Sequence, residues 1–144
     1  MKGMRNALIN FSQSGRPVLG ICLGMQLLGQ YSEEAPQADC LGILDYISTP
    51  ISNLTKNYRC PHVGWNQVAH NEQDKIFKDI PNQTDFYFSH SFAIKASKYM
   101  ISKTFHGDNF ISGVKFGNIY GVQFHPERSQ AFGERLLSNF CNII

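Results

Sequence analysis

Residues Pro17-Val18-Leu19-Gly20-Ile21-Cys22-Leu23-Gly24 constrain this chain more than any other stretch. A short apolar run leads into Cys22, and a run with helical spacing, Leu23 to Tyr31, leads out of it. That pattern predicts a strand, a sharp turn and a helix, with a cysteine at the turn. A tight turn crowds its neighbours and strains its backbone, so glycine at positions 20 and 24 fits the requirement. The resulting thiol stands at the carboxyl end of a sheet. The N–H groups that follow it, with the helix dipole, are expected to lower its pKa and to stabilise an oxyanion.

Far downstream lies His125-Pro126-Glu127. A cysteine nucleophile needs a base to take its proton and a carboxylate to orient that base. His125 and Glu127 fit those roles. Read alone, His125 would be structural and Glu127 a surface acid; together with Cys22 they form a Cys-His-acid set. The other cysteines, Cys40, Cys60 and Cys141, read as small buried hydrophobes. Cys60, His62 and His70 lack the spacing and partners of a zinc site.

The remaining pattern is rich in strands. Ala7, Leu8 and Phe11 share a helical face, and Gly15 followed by Pro17 ends that helix. Strands are predicted at Val18 to Ile21, Asp39 to Thr49, Trp65 to His70, Phe86 to Phe88, Ser91 to Lys95, Tyr99 to Phe105, Phe110 to Lys115 and Ile119 to Gln123. A closing helix runs from Ser129, as N-cap, to Cys141, with Phe132, Leu136, Leu137 and Phe140 on one side. The class is α/β. The 144 residues suffice for one domain with a core, and no repeat or linker divides them. A net charge of +2 without a basic, aromatic-interleaved block gives no support for nucleic-acid binding. No apolar run is long enough to span a bilayer, and the first residues lack a signal-peptide core. Four cysteines without framework spacing suit a free thiol in a reducing cytoplasm.

These motifs together resemble the class I glutamine amidotransferases and, more narrowly, the glutaminase subunits of imidazole glycerol phosphate synthase. The resemblance rests on residues 15–26 around Cys22, on Pro61-His62-Val63-Gly64-Trp65-Asn66, on Tyr87-Phe88-Ser89-His90-Ser91-Phe92 and on residues 121–129 around His125. It implies a flavodoxin-like mixed sheet with flanking helices. It also implies hydrolysis of glutamine to glutamate and ammonia by Cys22, His125 and Glu127, with the Leu23 N–H as oxyanion donor. In the family, residues at the positions of Gln26, Glu34, Ser91 and Phe92 hold the substrate, and no metal or cofactor takes part. The segment Pro61, His62, Gly64, Trp65 and Asn66 is implied to face a (β/α)8 cyclase partner in a heterodimer, which receives the ammonia to make imidazole glycerol phosphate and AICAR in histidine biosynthesis. The same module can serve a surface-sugar amidotransferase, or persist as a catalytically impaired interaction subunit. The family pattern opens with two more strands and a P-G-x-G loop that supplies a second oxyanion donor. Nothing like it precedes Gly20, so residues 1–144 read as a type 1 amidotransferase domain incomplete at its amino terminus, with reduced activity expected.

Overall fold

A computed structural model describes residues 2–53 and 58–143. Helix α1 (Lys2–Gln13) leads through Gly15, at φ 77°, into strand β1 (Val18–Ile21). Glycine accepts that left-handed conformation without strain, and the helix stops there. Next come helix α2 (Leu23–Leu28) and strands β2 (Tyr31–Ser32), β3 (Ile47–Pro50), β4 (His62–His70), β5 (Thr84–His90) and β6 (Phe92–Ala93). Strands β7 (Met100–Phe105), β8 (Asn109–Phe116) and β9 (Ile119–Val122) follow. The chain then forms a 3-10 turn (Pro126–Arg128) and helix α3 (Gln130–Cys141).

Six strands form the main sheet in the order β1-β9-β8-β7-β4-β5, and β2-β3-β6 form a small one. The pair β1/β9 is parallel, with Val18 opposite Ile119 and Ile21 opposite Val122. The other neighbours in the main sheet are antiparallel. Residues 110–114 of β8 and all of β9 are buried without alternation because the sheet is covered on both faces. One face packs Met25 and Leu28 of α2 against Ile111, Val114 and Ile119. The other packs Leu136 of α3 against Phe86, Phe88, Tyr120, Val122 and Phe124.

Three expectations change. The helix after Cys22 ends at Leu28, and Tyr31–Ser32 pairs instead with Ile47 and Ser48. At Gly29 a Cβ would lie 2.6 Å from the Tyr46 ring, so the chain turns under that ring. Most of Asp39 to Thr49 is not strand. The N–H groups of Leu41, Ile43 and Leu44 bond instead to the carbonyls of Leu27 and Leu28. The segment satisfies the orphan acceptors at the end of α2, which is why its apolar residues are buried without a ladder. In α3 the buried stripe is Gly133, Leu136 and Asn139, while Phe132 is exposed. The helix has rolled so that Asn139 can donate to the carbonyls of Ile76 and Lys78 at 3.0 and 2.7 Å.

Candidate active site

Cys22 follows the last residue of β1, and His125 comes three residues after the last of β9. Because these strands are parallel neighbours in register, both residues stand beyond the same carboxyl end of the sheet. Cys22 sits at φ 52°, ψ −108°, a conformation that L-residues rarely adopt. Its N–H bonds to the Val122 carbonyl at 2.8 Å, which fixes the turn to β9. Gly20 permits the turn, since a Cβ there would lie 2.6 Å from the Gly24 backbone. Gly24 itself faces open space, so the expected steric need for glycine applies at position 20 alone.

The sulfur is half-buried. Its hydrogen bonds run to the Ser89 carbonyl at 3.8 Å and from Gln123 Nε2 at 3.6 Å, and the Leu23 N–H also points at it. Burial pushes the Cys22 thiol above its ordinary pKa, and the carboxylates of Glu34 and Glu127 add to the rise. The Leu23 N–H and Gln123 oppose it without prevailing. The expected lowering is therefore reversed, and the resting group is a thiol that must lose its proton to a base. Cys40 is buried as expected, but Cys60 and Cys141 are exposed.

His125 Nδ1 lies 2.6 Å from Glu127 Oε1. That pairing leaves Nε2 as the nitrogen free to exchange protons. Among the described residues no hydrogen bond joins His125 to the Cys22 sulfur. The His125 backbone is held on both sides: its N–H donates to the Tyr87 carbonyl, and its carbonyl accepts from Ser129 Oγ at 2.6 Å. Ser129 Oγ also accepts from the Tyr87 N–H at 3.0 Å. Ser129 stands at the N-cap position of α3, as expected, but its side chain makes no capping bond because its oxygen is committed to tying β5 to the His125 turn.

Gln26 is buried, and its Nε2 donates to the Phe92 carbonyl at 3.1 Å and to Gln123 Oε1 at 3.2 Å. Its Oε1 has no protein partner, which leaves an acceptor to be satisfied. Glu34 is exposed, and Ser91 and Phe92 are half-buried beside the end of β5. Along β4, Trp65 is half-exposed, Gly64 and Asn66 are partly covered, and Pro61 precedes the strand at the surface. His62 differs from its neighbours. It is 4% exposed and stacks on Phe88 with ring centroids 4.7 Å apart.

Sequence reasoning passed over Gln123. The signal was present: one amide between Val122 and Phe124 in an apolar strand, two residues before His125. A buried amide needs partners, and these are Cys22 and Gln26.

A match to the family described as Glutamine amidotransferase class-I spans residues 1–144. This chain belongs to the class I glutamine amidotransferases. Curated amidotransferase relatives named imidazole glycerol phosphate synthase subunit HisH include one from Buchnera aphidicola of Schizaphis graminum, 40% identical over 96% of this chain and 70% of its own length. Another, from Vibrio parahaemolyticus, is 44% identical over 94% of this chain and 69% of its own length. The Escherichia coli K12 protein is 45% identical over 89% of this chain and 64% of its own length. The chain thus spans about two thirds of these relatives. Among solved structures, a glutamine amidotransferase from Thermotoga maritima superposes with a TM-score of 0.64 at 19% identity, covering 98% of this chain and 54% of that one. A second glutamine amidotransferase gives 0.70 at 16% identity, covering 97% and 67%. At those identities the structures speak for the class I amidotransferase fold. No helix among the described residues is long and apolar enough to cross a membrane.

Proposed function

We propose that this chain is the glutaminase of a two-subunit imidazole glycerol phosphate synthase, working in the reducing cytoplasm. The observation that carries the reading is Cys22 at a strained strand-to-helix turn, beside the strand that leads to the His125–Glu127 pair. The HisH relatives support the choice of pathway.

The chemistry follows from the geometry. Cys22 is a thiol at rest, so attack on the glutamine side-chain carbonyl is coupled to proton transfer to His125 Nε2. Glu127 holds Nδ1–H and stabilises the imidazolium that forms. The Leu23 N–H donates to the oxyanion. His125 returns its proton to the leaving nitrogen, ammonia departs, and a water activated by the same imidazole hydrolyses the thioester to glutamate. Glu34 and the backbone at Ser91 and Phe92 line the substrate's site, and the buried Gln26 supports it from behind by holding the Phe92 carbonyl. Pro61, Gly64, Trp65 and Asn66 form the surface offered to a (β/α)8 cyclase. His62 supports that surface from behind rather than touching the partner.

The test is reconstitution with a histidine-pathway cyclase. Glutamine-dependent formation of imidazole glycerol phosphate is expected, and Cys22→Ala should abolish it while added ammonium salt restores it. A Cys22→Ala complex that stays inactive with ammonium, although the cyclase alone accepts it, would refute the division of labour.

A further inference from the structure

The polar groups between β4 and Cys22 form a continuous series whose hydrogen-bond directions are all determined. At its centre is the Phe92 carbonyl, which can only accept. It receives His90 Nδ1 at 2.8 Å and Gln26 Nε2 at 3.1 Å, so both lone pairs are used.

On one side, His90 must carry its proton on Nδ1. Its bare Nε2 then accepts from His62 Nδ1, 2.9 Å away. His62 is left with a bare Nε2, which faces Asn66 Nδ2 at 3.1 Å. The orientation of Asn66 is set independently, because its Oδ1 accepts from the Gln67 N–H at 2.8 Å and its Nδ2 also donates to the Phe105 carbonyl at 3.0 Å. The direction demanded at the Asn66 end agrees with that demanded at Phe92. On the other side, Gln26 Nε2 donates to Gln123 Oε1, so Gln123 turns its Nε2 to the Cys22 sulfur. One donor placed the wrong way would leave two donors or two lone pairs facing each other in a buried site.

We propose that His62, His90, Gln26 and Gln123 form a positioning relay that aims an amide donor at the Cys22 sulfur and anchors that donor to Asn66 of β4. The inference deepens the glutaminase reading and rests on it for the role of Cys22. Both rings stay neutral near pH 7: burial, with the neighbouring imidazoles, pushes His62 down to about 3, and burial pushes His90 down to about 4. Neutral rings with one proton each are what fixed polarity requires. The Phe88 and His106 rings, stacked on His62 at 4.7 and 4.1 Å, hold it in place. Glu34 and Glu127, which also act on the sulfur, are left unchanged in every variant below.

The experiment reads the sulfur directly, so it does not depend on glutamine turnover. Cys22 alkylation by iodoacetamide is followed by peptide mass spectrometry, because Cys60 and Cys141 are exposed and will also react. Gln123→Leu removes the donor and should slow Cys22 alkylation about tenfold, the usual worth of one hydrogen bond to a charged group. His62→Leu should slow it by a similar factor, and His62→Asn, which keeps a donor at the Nδ1 position, should restore most of the rate. In the Gln123→Leu background, His62→Leu should add nothing, since both act through one donor. Additive effects, or an unchanged rate in a folded His62→Leu variant, would overturn the relay. Nitrogen-15 spectra of the unaltered protein give a second measurement that needs no variant to fold. Both His62 and His90 should carry their proton on Nδ1, and a proton on either Nε2 would overturn the assigned polarity. A protein that hydrolyses no glutamine but shows these alkylation effects keeps the relay and loses the glutaminase reading.

Discussion

Cys22 and His125 stand beyond the ends of neighbouring parallel strands, and the chain holds them in different ways. Cys22 is held by strain: a positive φ, a glycine at position 20 that lets α2 fold back, and one N–H bond to β9. His125 is in ordinary extended backbone, at φ −104°. It is held from outside, by hydrogen bonds to Tyr87 and Ser129 and by α3 packed over its turn. The difference follows from the tasks. A nucleophile must project from the sheet toward its substrate with N–H groups behind it, and only a sharp turn does that. A base needs a fixed ring and some solvent access, which a braced loop provides.

The largest effects should come from the reacting groups themselves. Cys22→Ala and His125→Asn are each expected to lower glutamine turnover at least ~10⁴-fold, and the double variant should be no worse than either alone. The comparison sharpens with Cys22→Gly, which is equally inactive but relieved of strain. Its melting temperature should exceed that of Cys22→Ala, because glycine adopts positive φ at little cost. Equal melting temperatures would show that the turn at Cys22 stores no strain.

The brace around His125 should break at Gly133. A Cβ there would lie 1.9 Å from the Pro126 carbonyl oxygen, so α3 or the turn must move. Gly133→Ala is expected to destabilise by about 1–3 kcal/mol and to cost ~10²-fold in turnover through misplacement of His125. Gly24→Ala is the control. It meets open space on α2 and should leave stability equal or raised by about 0.5–1 kcal/mol, read by thermal unfolding. A Gly133→Ala protein with full activity would mean that α3 does not set the position of His125.

Glu127 should matter less. Its side chain is 48% exposed, so water shares in stabilising the imidazolium. Glu127→Gln keeps an acceptor for His125 Nδ1–H and is expected to lower kcat by less than removal of His125 does. A loss equal to that of His125→Asn, with folding intact, would make Glu127 more than an orienting group.

The contrast between the two turns also explains what was legible in the sequence. Strain is written locally: Gly20, Cys22 and the apolar run before them predicted β1 with its observed bounds. Bracing is written across the chain. That Ser129 serves Tyr87, 42 residues away, depends on the His125 turn lying against β5, which no local pattern states. The same reason hid the His62–His90 contact, made by residues 28 apart on paired strands. Strand β8 was readable because Phe110, Ile111, Val114 and Phe116 form an apolar-rich run between the turns at Gly107 and Gly117. Asp39 to Tyr46 was misread because buried apolar residues look alike whether their N–H groups meet a strand or the end of a helix. The thiol pKa was misjudged because the turn motif reveals its donors and conceals burial and the two nearby carboxylates.

The smallest effect should fall at Ser129, where the two descriptions of one residue part. As the N-cap of α3, Ser129 would be replaceable by Asp or Asn, which cap equally well. As a bridge between the Tyr87 N–H and the His125 carbonyl, it needs a short hydroxyl that both donates and accepts. Ser129 is 2% exposed, so a larger side chain has little room. Ser129→Ala is expected to destabilise by about 1–2 kcal/mol through the unpaired Tyr87 N–H, since the His125 carbonyl keeps the Arg128 N–H, with turnover down only ~3-fold because the Tyr87 carbonyl still holds the His125 N–H. Ser129→Asp should be worse than Ser129→Ala in both stability and turnover, since it cannot donate to the His125 carbonyl and places a charge in a closed site. An aspartate variant more stable than the alanine variant would restore the cap and leave the His125 turn braced by α3 and Tyr87 alone.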